Sequence, residues 1–327
     1  MKAIICRGFG TADSLALGNI EAPLPKRGQV LVDVHSAAVT FMDVLMAAGN
    51  YQMRPPLPFV PGTDASGVVA AVGEGVTRLK VGDRVACGSW FGAWGQQMVT
   101  DEHGAIPLPA EVDFAVGAAV RHGYGTAHYA LVERAQLRTG ETVFVSGAAG
   151  GVGLAAVDLA RHLGARVIAG VGSSDKEACV RGRGAAEVIN YSQENLKDRI
   201  KALTGGAGVD VFFDNVGGEV FATMSRLMNW GGRILPIGFT SGEIPSMPLK
   251  LPLLKNYSVV GAFWGAWTQR YPKESAAADE RLLKLVAAGE LRPLVAQTLP
   301  MEEFADAIES VRQRRVQGRI VLEVGRG

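Results

Sequence analysis

Apolar positions change their spacing partway along the chain. Up to about residue 110 they come in short runs (KAIIC, QVLVDVHSAAV, DASGVVAAVG, VGDRVACG and QQMVT) cut apart by Gly and Pro. Short alternating segments between turn residues are a strand signature, so this part predicts a mostly antiparallel β domain. One helical interruption is expected at FMDVLMAAG (41–49).

From about Tyr124 the pattern becomes strand, amphipathic helix, strand. TVFVS precedes a helix with Val152, Ala155, Ala156, Leu159 and Leu163 on one face, the i, i+3, i+4, i+7 spacing. RVIAG, EVIN, VDVFFDNV, GGRILPIG and YSVVGAFW then read as strands. SDKEACVRG, ENLKDRIKALTG and EVFATMSRLM read as helices between them. Such alternation predicts a parallel, doubly wound sheet. The last stretch carries helices near 276–288 and 301–314 and a final strand GRIVLEV. It does not repeat this unit and is expected to fold back onto the β domain. The expectation is an α/β protein with a discontinuous first domain (1–122 and 266–327) and a doubly wound domain over 123–265.

Composition narrows the partners. Net charge is +1 over 327 residues, with no basic stripe, so nucleic acid is not expected as the main partner. No stretch approaches the roughly 20 apolar residues of a membrane span, and the N-terminus does not read as a signal peptide. Three scattered cysteines, Cys6, Cys87 and Cys179, suit a reducing cytoplasm better than a disulfide framework.

The most specific local signal is SGAAGGVGLAA (146–156). Its AAGGVG core (148–153) fits A-x-G-x-x-G between a strand and a helix. Gly150 lets main-chain amides approach a pyrophosphate, Gly153 lets the helix pack on its strand, and the helix N-terminus takes up phosphate charge. Ala149, Gly151 and Val152 belong to the same turn. At the tip of the next strand stands GVGSSDK (170–176). After Gly172, the hydroxyl residues Ser173 and Ser174 with Lys176 suit a 2′-phosphate, so NADP is favoured over NAD. Asp175 lies where an NAD-type carboxylate would stand, or serves as an ordinary first-turn acid.

Nearly the whole length resembles the zinc-free quinone oxidoreductases, the zeta-crystallin-like branch of the medium-chain dehydrogenases/reductases. The resemblance is carried by GTDASGVVAAVGEGVTRLKVGDRV (62–85), the glycine turn, EVINY (187–191), LTGGAGVDVFFDNVGG (203–218) and the stretches from WGGRILPIG to GAFWGAW (230–267). It implies a GroES-like catalytic domain, a Rossmann domain, NADPH in a cleft between them, and a homodimer or tetramer. It also implies roles for single residues. Lys176 and Tyr191 match positions near the adenosine phosphate, and Thr126, Asn215 and Val216 match positions by the nicotinamide. Gly238, Phe239 and Phe263 are added to the cofactor set, and Arg314 or Arg319 is expected to reach the cofactor. Tyr51 matches a tyrosine of the cofactor and substrate cleft.

Zinc-dependent relatives place ligands where this chain has Thr40 and the pair Thr63-Asp64, and its five histidines show no ligand spacing. No metal is expected. Without a Lewis acid the acceptor must tolerate hydride unaided, which favours quinones or α,β-unsaturated carbonyls. Tyr51, Thr63 and Thr40 are the candidate donors to the developing oxyanion. Arg121-His122 departs from the family pattern. It reads either as an exposed hinge pair or as a bias toward anionic acceptors. Trp90, Phe91, Trp94, Phe263, Trp264 and Trp267 either wall an aromatic acceptor or belong to the core. An enoyl-thioester reductase and a catalytically silent nucleotide-binding protein are the alternatives. The apolar YSVVGAFW (257–264) is the expected dimer edge.

Overall fold

The computed structural model describes residues 1–325, which divide into two units, 1–122 with the segment from 267 onward, and 123–266. In the first unit, β1 (Lys2–Cys6) and β2 (Leu15–Asn19) form an antiparallel pair. The long β3 (Gln29–Val39) leads into α1 (Phe41–Ala47), followed by β4 (Asp64–Val72), β5 (Arg84–Gly88), β6 (Gln97–Asp101) and β7 (Ala105–Pro107). The strand β3 pairs antiparallel with β4 and with β6, and β4 with β5. The inward residues Val30, Val32, Val34, Val69, Val85 and Met98 make the core, with Trp94 fully enclosed and its Nε1 donating to the carbonyl of Ala38 at 3.0 Å. The helix α2 (Phe114–His128) carries the chain across the boundary between the units.

The second unit is built on parallel strands: β8 (Thr142–Val145), β9 (Arg166–Val171), β10 (Glu187–Asn190), β11 (Val209–Asp214), β12 (Met228–Pro236) and β13 (Ser258–Val259). Helices α3 (Gly151–His162), α4 (Glu177–Gly182), α5 (Leu196–Leu203), α6 (Gly218–Met224) and α7 (Lys250–Lys255) connect them, and α8 (Trp264–Arg270) follows. The spatial order β10-β9-β8-β11-β12-β13 reverses direction between β8 and β11. That is the doubly wound Rossmann order, in which ligands bind beyond the carboxyl ends of the strands at the reversal. Apolar residues on both faces (Val143, Phe144, Ile168, Ile189, Phe212, Phe213, Ile234) explain why these strands read as unbroken hydrophobic runs.

The chain then returns to the first unit through α9 (Pro272–Ala287), β14 (Val295–Pro300), α10 (Phe304–Arg312) and β15 (Arg319–Glu323). The strand β15 pairs antiparallel with β3 and parallel with β14, completing a seven-stranded sheet in which β6 also pairs β3. The GroES-like β domain and the Rossmann sheet are therefore both present, in an α/β chain. Two predicted elements differ. YSVVGAFW forms strand only at Ser258–Val259, because Trp264 turns inward to start α8 and packs on Gly125. The helix expected over EVFATMSRLM stops at Met224, and Met228 already opens β12.

Candidate functional site

In the Rossmann unit the site grows from the ends of β8 and β11. Ser146 and Asp214 end these strands side by side, and Ser146 Oγ donates to Asp214 Oδ1 at 2.6 Å. The amide of Asn215 donates to Ser146 Oγ at 3.0 Å, and its side-chain Nδ2 donates to the Ser146 carbonyl at 2.8 Å. The two loops that flank the reversal point are thus stitched together. Burial raises the Asp214 carboxyl above the usual range, while the Ser146 hydroxyl and the amides of Val216 and Gly217 act against that rise. From β12, the amide of Gly238 donates to the Asp214 carbonyl at 3.1 Å, and the Phe239 ring lies against Gly217. Asn215, Val216, Gly238 and Phe239 therefore gather at one place.

The glycine turn enters α3 here. Gly147 has φ +57°, which a side chain resists, and a Cβ on Gly153 would lie 2.3 Å from the Gly147 carbonyl oxygen. Gly150 is the N-cap and offers no side-chain hydrogen bond to the first turn. The opening amides of a 12-residue helix therefore have no side-chain cap, the arrangement that receives phosphate. Ala149 precedes the cap, and Gly151 and Val152 open α3.

At the end of β9 the Tyr191 ring lies over Gly170 and Gly172, 3.6 Å from where a Gly172 Cβ would stand. Ser173 follows, then a 3₁₀ turn over Ser174–Lys176 that includes Asp175. The Ser174 hydroxyl accepts from Asn190 Nδ2 at 3.1 Å, tying the turn to β10. Gly172, Ser173, Lys176 and Tyr191 thus share one strand tip. Thr126 is buried in α2, and Phe263 is about half exposed beyond β13.

The GroES-like unit holds a second cluster where β3 ends and β4 and β15 begin. Register places Val39 opposite Ile320 and Ala37 opposite Ala65, so Thr40, Asp64 and Arg319 meet at one end of the sheet. Thr40 caps α1. Its hydroxyl accepts from the Asp43 amide at 3.2 Å, and its own amide donates to Asp43 Oδ2 at 2.8 Å. Asp64 Oδ2 accepts from the His122 amide at 3.2 Å. Arg121 Nε stands 3.1 Å from Asp279 Oδ2, and its Nη1 occupies the space a Gly88 side chain would fill.

Burial dominates the ionisation here. It pushes Asp43 up to about 7, against the Thr40 and Thr63 hydroxyls that favour its anion. It lifts Asp64 to about 6 against the Arg121 and Arg319 charges, and Asp279 to about 7 against Arg121. His122 is driven down to about 3 by burial and by the same two arginines, so it is neutral at physiological pH. Burial and the Asp43 charge both raise the Tyr51 phenol.

One expectation is corrected here and one open alternative is closed. Arg121 is not an exposed hinge residue but a buried one, and its charge is met by Asp279 and Asp64, which leaves no reason to assign it to anionic acceptors. Trp94 belongs to the core, as does Trp264. Arg319 is buried facing Asp64 and Asp43, whereas Arg314 lies exposed in a left-handed turn at φ +56°. Sequence reasoning passed over Ser146, Asp214, Asp43 and Asp279. The acid closing the apolar run VDVFFD was a usable signal for Asp214.

A zinc ion does not fit these residues. Thr40 is committed as a helix cap and Asp64 to two arginines and an amide. Among the described residues no group of three or more His, Cys, Asp or Glu is placed to hold a metal.

Residues 26–137 match the alcohol dehydrogenase GroES-like domain family, and residues 151–280 match the zinc-binding dehydrogenase family. A quinone oxidoreductase-like protein 2 homolog of Nematostella vectensis is 37% identical, over 98% of this chain and 88% of its own. Human quinone oxidoreductase is 33% identical over 95% and 94%. The structure of Escherichia coli quinone oxidoreductase complexed with NADPH is similar at a TM-score of 0.92 and 30% identity, covering 99% of this chain and all of that one. With two-domain architecture, near-complete coverage and identity above 30% all in agreement, the chain belongs to the quinone oxidoreductases, the zinc-free branch of the medium-chain dehydrogenases/reductases.

Proposed function

We propose that the protein is an NADPH-dependent, metal-independent reductase of quinones or related α,β-unsaturated carbonyls. The observation that carries this reading is the uncapped N-terminus of α3 at the sheet's reversal point, with Lys176, Ser173 and Tyr191 at the adjacent strand tip. Gly150, Gly151 and Val152 would present amides to the pyrophosphate. Lys176 and Ser173 would meet the 2′-phosphate, and Asn215, Val216 and Thr126 would border the nicotinamide. The bound nucleotide would supply hydride. The chain's own part is positioning and charge stabilisation, in which one hydroxyl donor contributes about 3 kcal/mol to a developing oxyanion. Tyr51, only partly buried, is the candidate donor, whereas the Thr63 hydroxyl is enclosed and Thr40 is held in its cap.

The test is loss of NADPH absorbance with a para-quinone, a 2-alkenal and a crotonyl thioester. Turnover with the first two supports the reading. Thioester reduction alone would favour an enoyl-thioester reductase, and tight NADPH binding without turnover would favour a silent binding protein.

We further propose a homodimer formed across β13. That two-residue strand ends the parallel sheet, and Leu253, Leu254, Val259 and Phe263 nearby are exposed, the state a paired edge relieves. Among the described residues no helix is long and apolar enough to cross a membrane. The three cysteines are free, and we place the protein in the cytoplasm.

A further inference from the structure

Beyond the carboxyl ends of β9 and β10, two turns of the Rossmann unit are braced against each other. The ladder between these strands ends with Asn190 opposite Val171, yet hydrogen bonds go on joining the two segments past it. The Tyr191 amide donates to the Val171 carbonyl at 3.1 Å, and Ser192 Oγ donates to the Gly172 carbonyl at 2.9 Å. Asn190 Nδ2 donates to Ser174 Oγ at 3.1 Å, and Ser174 Oγ in turn donates to Gln193 Oε1 at 3.2 Å.

Asn190 is the hub of this brace. It is buried, and each of its polar groups has a partner. Its amide donates to Glu194 Oε1 at 2.9 Å, its carbonyl accepts from the Gln193 and Glu194 amides, and its Oδ1 accepts from the Ser192 amide at 3.2 Å. Those bonds close its own turn. Nδ2 does something else: it reaches a residue 16 positions away, in the 3₁₀ turn after β9. That side needs the support, because Gly170 and Gly172 bring no side chains to it and the Tyr191 ring lies over the space they leave. The Ser174 hydroxyl is exposed but spends its one proton on Gln193 while accepting from Asn190, so it has none to give a phosphate. The same 3₁₀ turn sets Asp175 beside Lys176, an acid that suits a ribose diol and a base that suits a 2′-phosphate. How the turn is held therefore bears on which nucleotide it favours.

We propose that Asn190 is a positioning residue for cofactor choice: through Ser174 it fixes the turn carrying Ser173 and Lys176 against Tyr191, at the spacing a 2′-phosphate requires. This rests on the NADPH reading above and deepens it. Donors from two separate turns hold a doubly charged group well only if the turns are ordered before it arrives, because ordering them on binding is subtracted from the affinity. A ribose without the 2′-phosphate makes no such demand on both turns at once. Loss of the brace therefore acts on the 2′-phosphate and spares the rest of the nucleotide. Ser173, Lys176 and Tyr191 are the residues that meet the phosphate, and Asn190 acts through Ser174 without touching it.

The test is calorimetric binding of adenosine 2′,5′-bisphosphate and adenosine 5′-phosphate, which differ by the 2′-phosphate alone. The proteins are the full chain, Asn190→Ala, Ser174→Ala, Ser174→Thr and the double alanine variant. The wild type should bind the bisphosphate at least about tenfold more tightly than the monophosphate. Asn190→Ala and Ser174→Ala should each lose about tenfold for the bisphosphate, the worth of roughly one charge-assisted hydrogen bond, and stay within about twofold for the monophosphate. Ser174→Thr keeps the hydroxyl and should keep the preference. The double variant should bind no more weakly than either single one, since both remove the same contact. Additive losses would make Ser174 a direct phosphate ligand and overturn the brace. Equal losses for both ligands, or no loss, would overturn the positioning role and leave the NADPH reading intact. Should Asn190→Ala fail to fold, the two Ser174 variants decide alone: a preference lost in the alanine form and kept in the threonine form supports the brace, and any other pattern overturns it. A wild type that binds both ligands alike, or neither, overturns the NADPH reading and this inference together.

Discussion

Replacing Gly153 by alanine tests how the glycine turn works, because the obstacle is backbone rather than a movable side chain. The added Cβ would stand 2.3 Å from the Gly147 carbonyl oxygen and 2.9 Å from the Ala148 Cα, whereas ordinary contact begins at 3.4 Å. Neither neighbour can rotate away, so α3 must shift by about 1 Å, and overpacking of this kind costs about 1–3 kcal/mol. Since each kcal/mol lowers a domain's melting midpoint by about 2–4 °C, the apo protein should melt several degrees lower. The same shift pulls the first amides of α3 away from a phosphate. Charged hydrogen bonds are worth about 1.5–3 kcal/mol each, so NADPH affinity should drop by at least tenfold. Gly150→Ala is the control: its Cβ would meet only the Gly147 oxygen, at 3.6 Å. Free protein should therefore tolerate it within about 1 kcal/mol, while a phosphate against the turn would be pushed off. Thermal melting with and without NADPH, and calorimetric titration, read both quantities. Wild-type stability in Gly153→Ala, or wild-type NADPH affinity in Gly150→Ala, would refute the reasoning.

Three further outcomes are expected. Lys176→Ala should raise KM for NADPH far more than for NADH in steady-state kinetics, and equal effects would remove the 2′-phosphate role. Arg121→Met leaves the Asp279 and Asp64 carboxyls buried without that guanidinium and should cost about 3–5 kcal/mol in urea unfolding, with part restored by adding Asp279→Asn; a loss below about 1 kcal/mol would show that the pair is not the buried contact described. Val259→Asp should turn a dimer into a monomer in sedimentation at micromolar concentration, and a wild-type monomer would dismiss the β13 interface.

Sequence alone determined the elements whose cause is local. Alternation in KAIIC or QVLVDVHSAAV follows from a strand's two-sided geometry, and the unbroken apolar run of VDVFFD follows from a sheet covered on both faces. The glycine turn was legible because a close approach of main chain requires small residues at fixed spacing, and the structure adds that Gly147 supplies the turn while Gly153 supplies the packing. The length of β13 was not legible: YSVVGAFW has strand composition, but an inward tryptophan redirects it after two residues.

The charged cluster was decided only by tertiary structure. Arg121 beside a neutral histidine reads as a surface pair until Asp279, more than a hundred residues later, folds back against it and Gly88 leaves room for the guanidinium. Thr40 and Thr63 could be read as missing ligands from their positions. That Asp43 lies between them with an unmatched oxygen depends on the register of β3, β4 and β15. Spacing along a chain encodes which face a residue takes, but whether a charge is paired depends on what long-range folding brings against it.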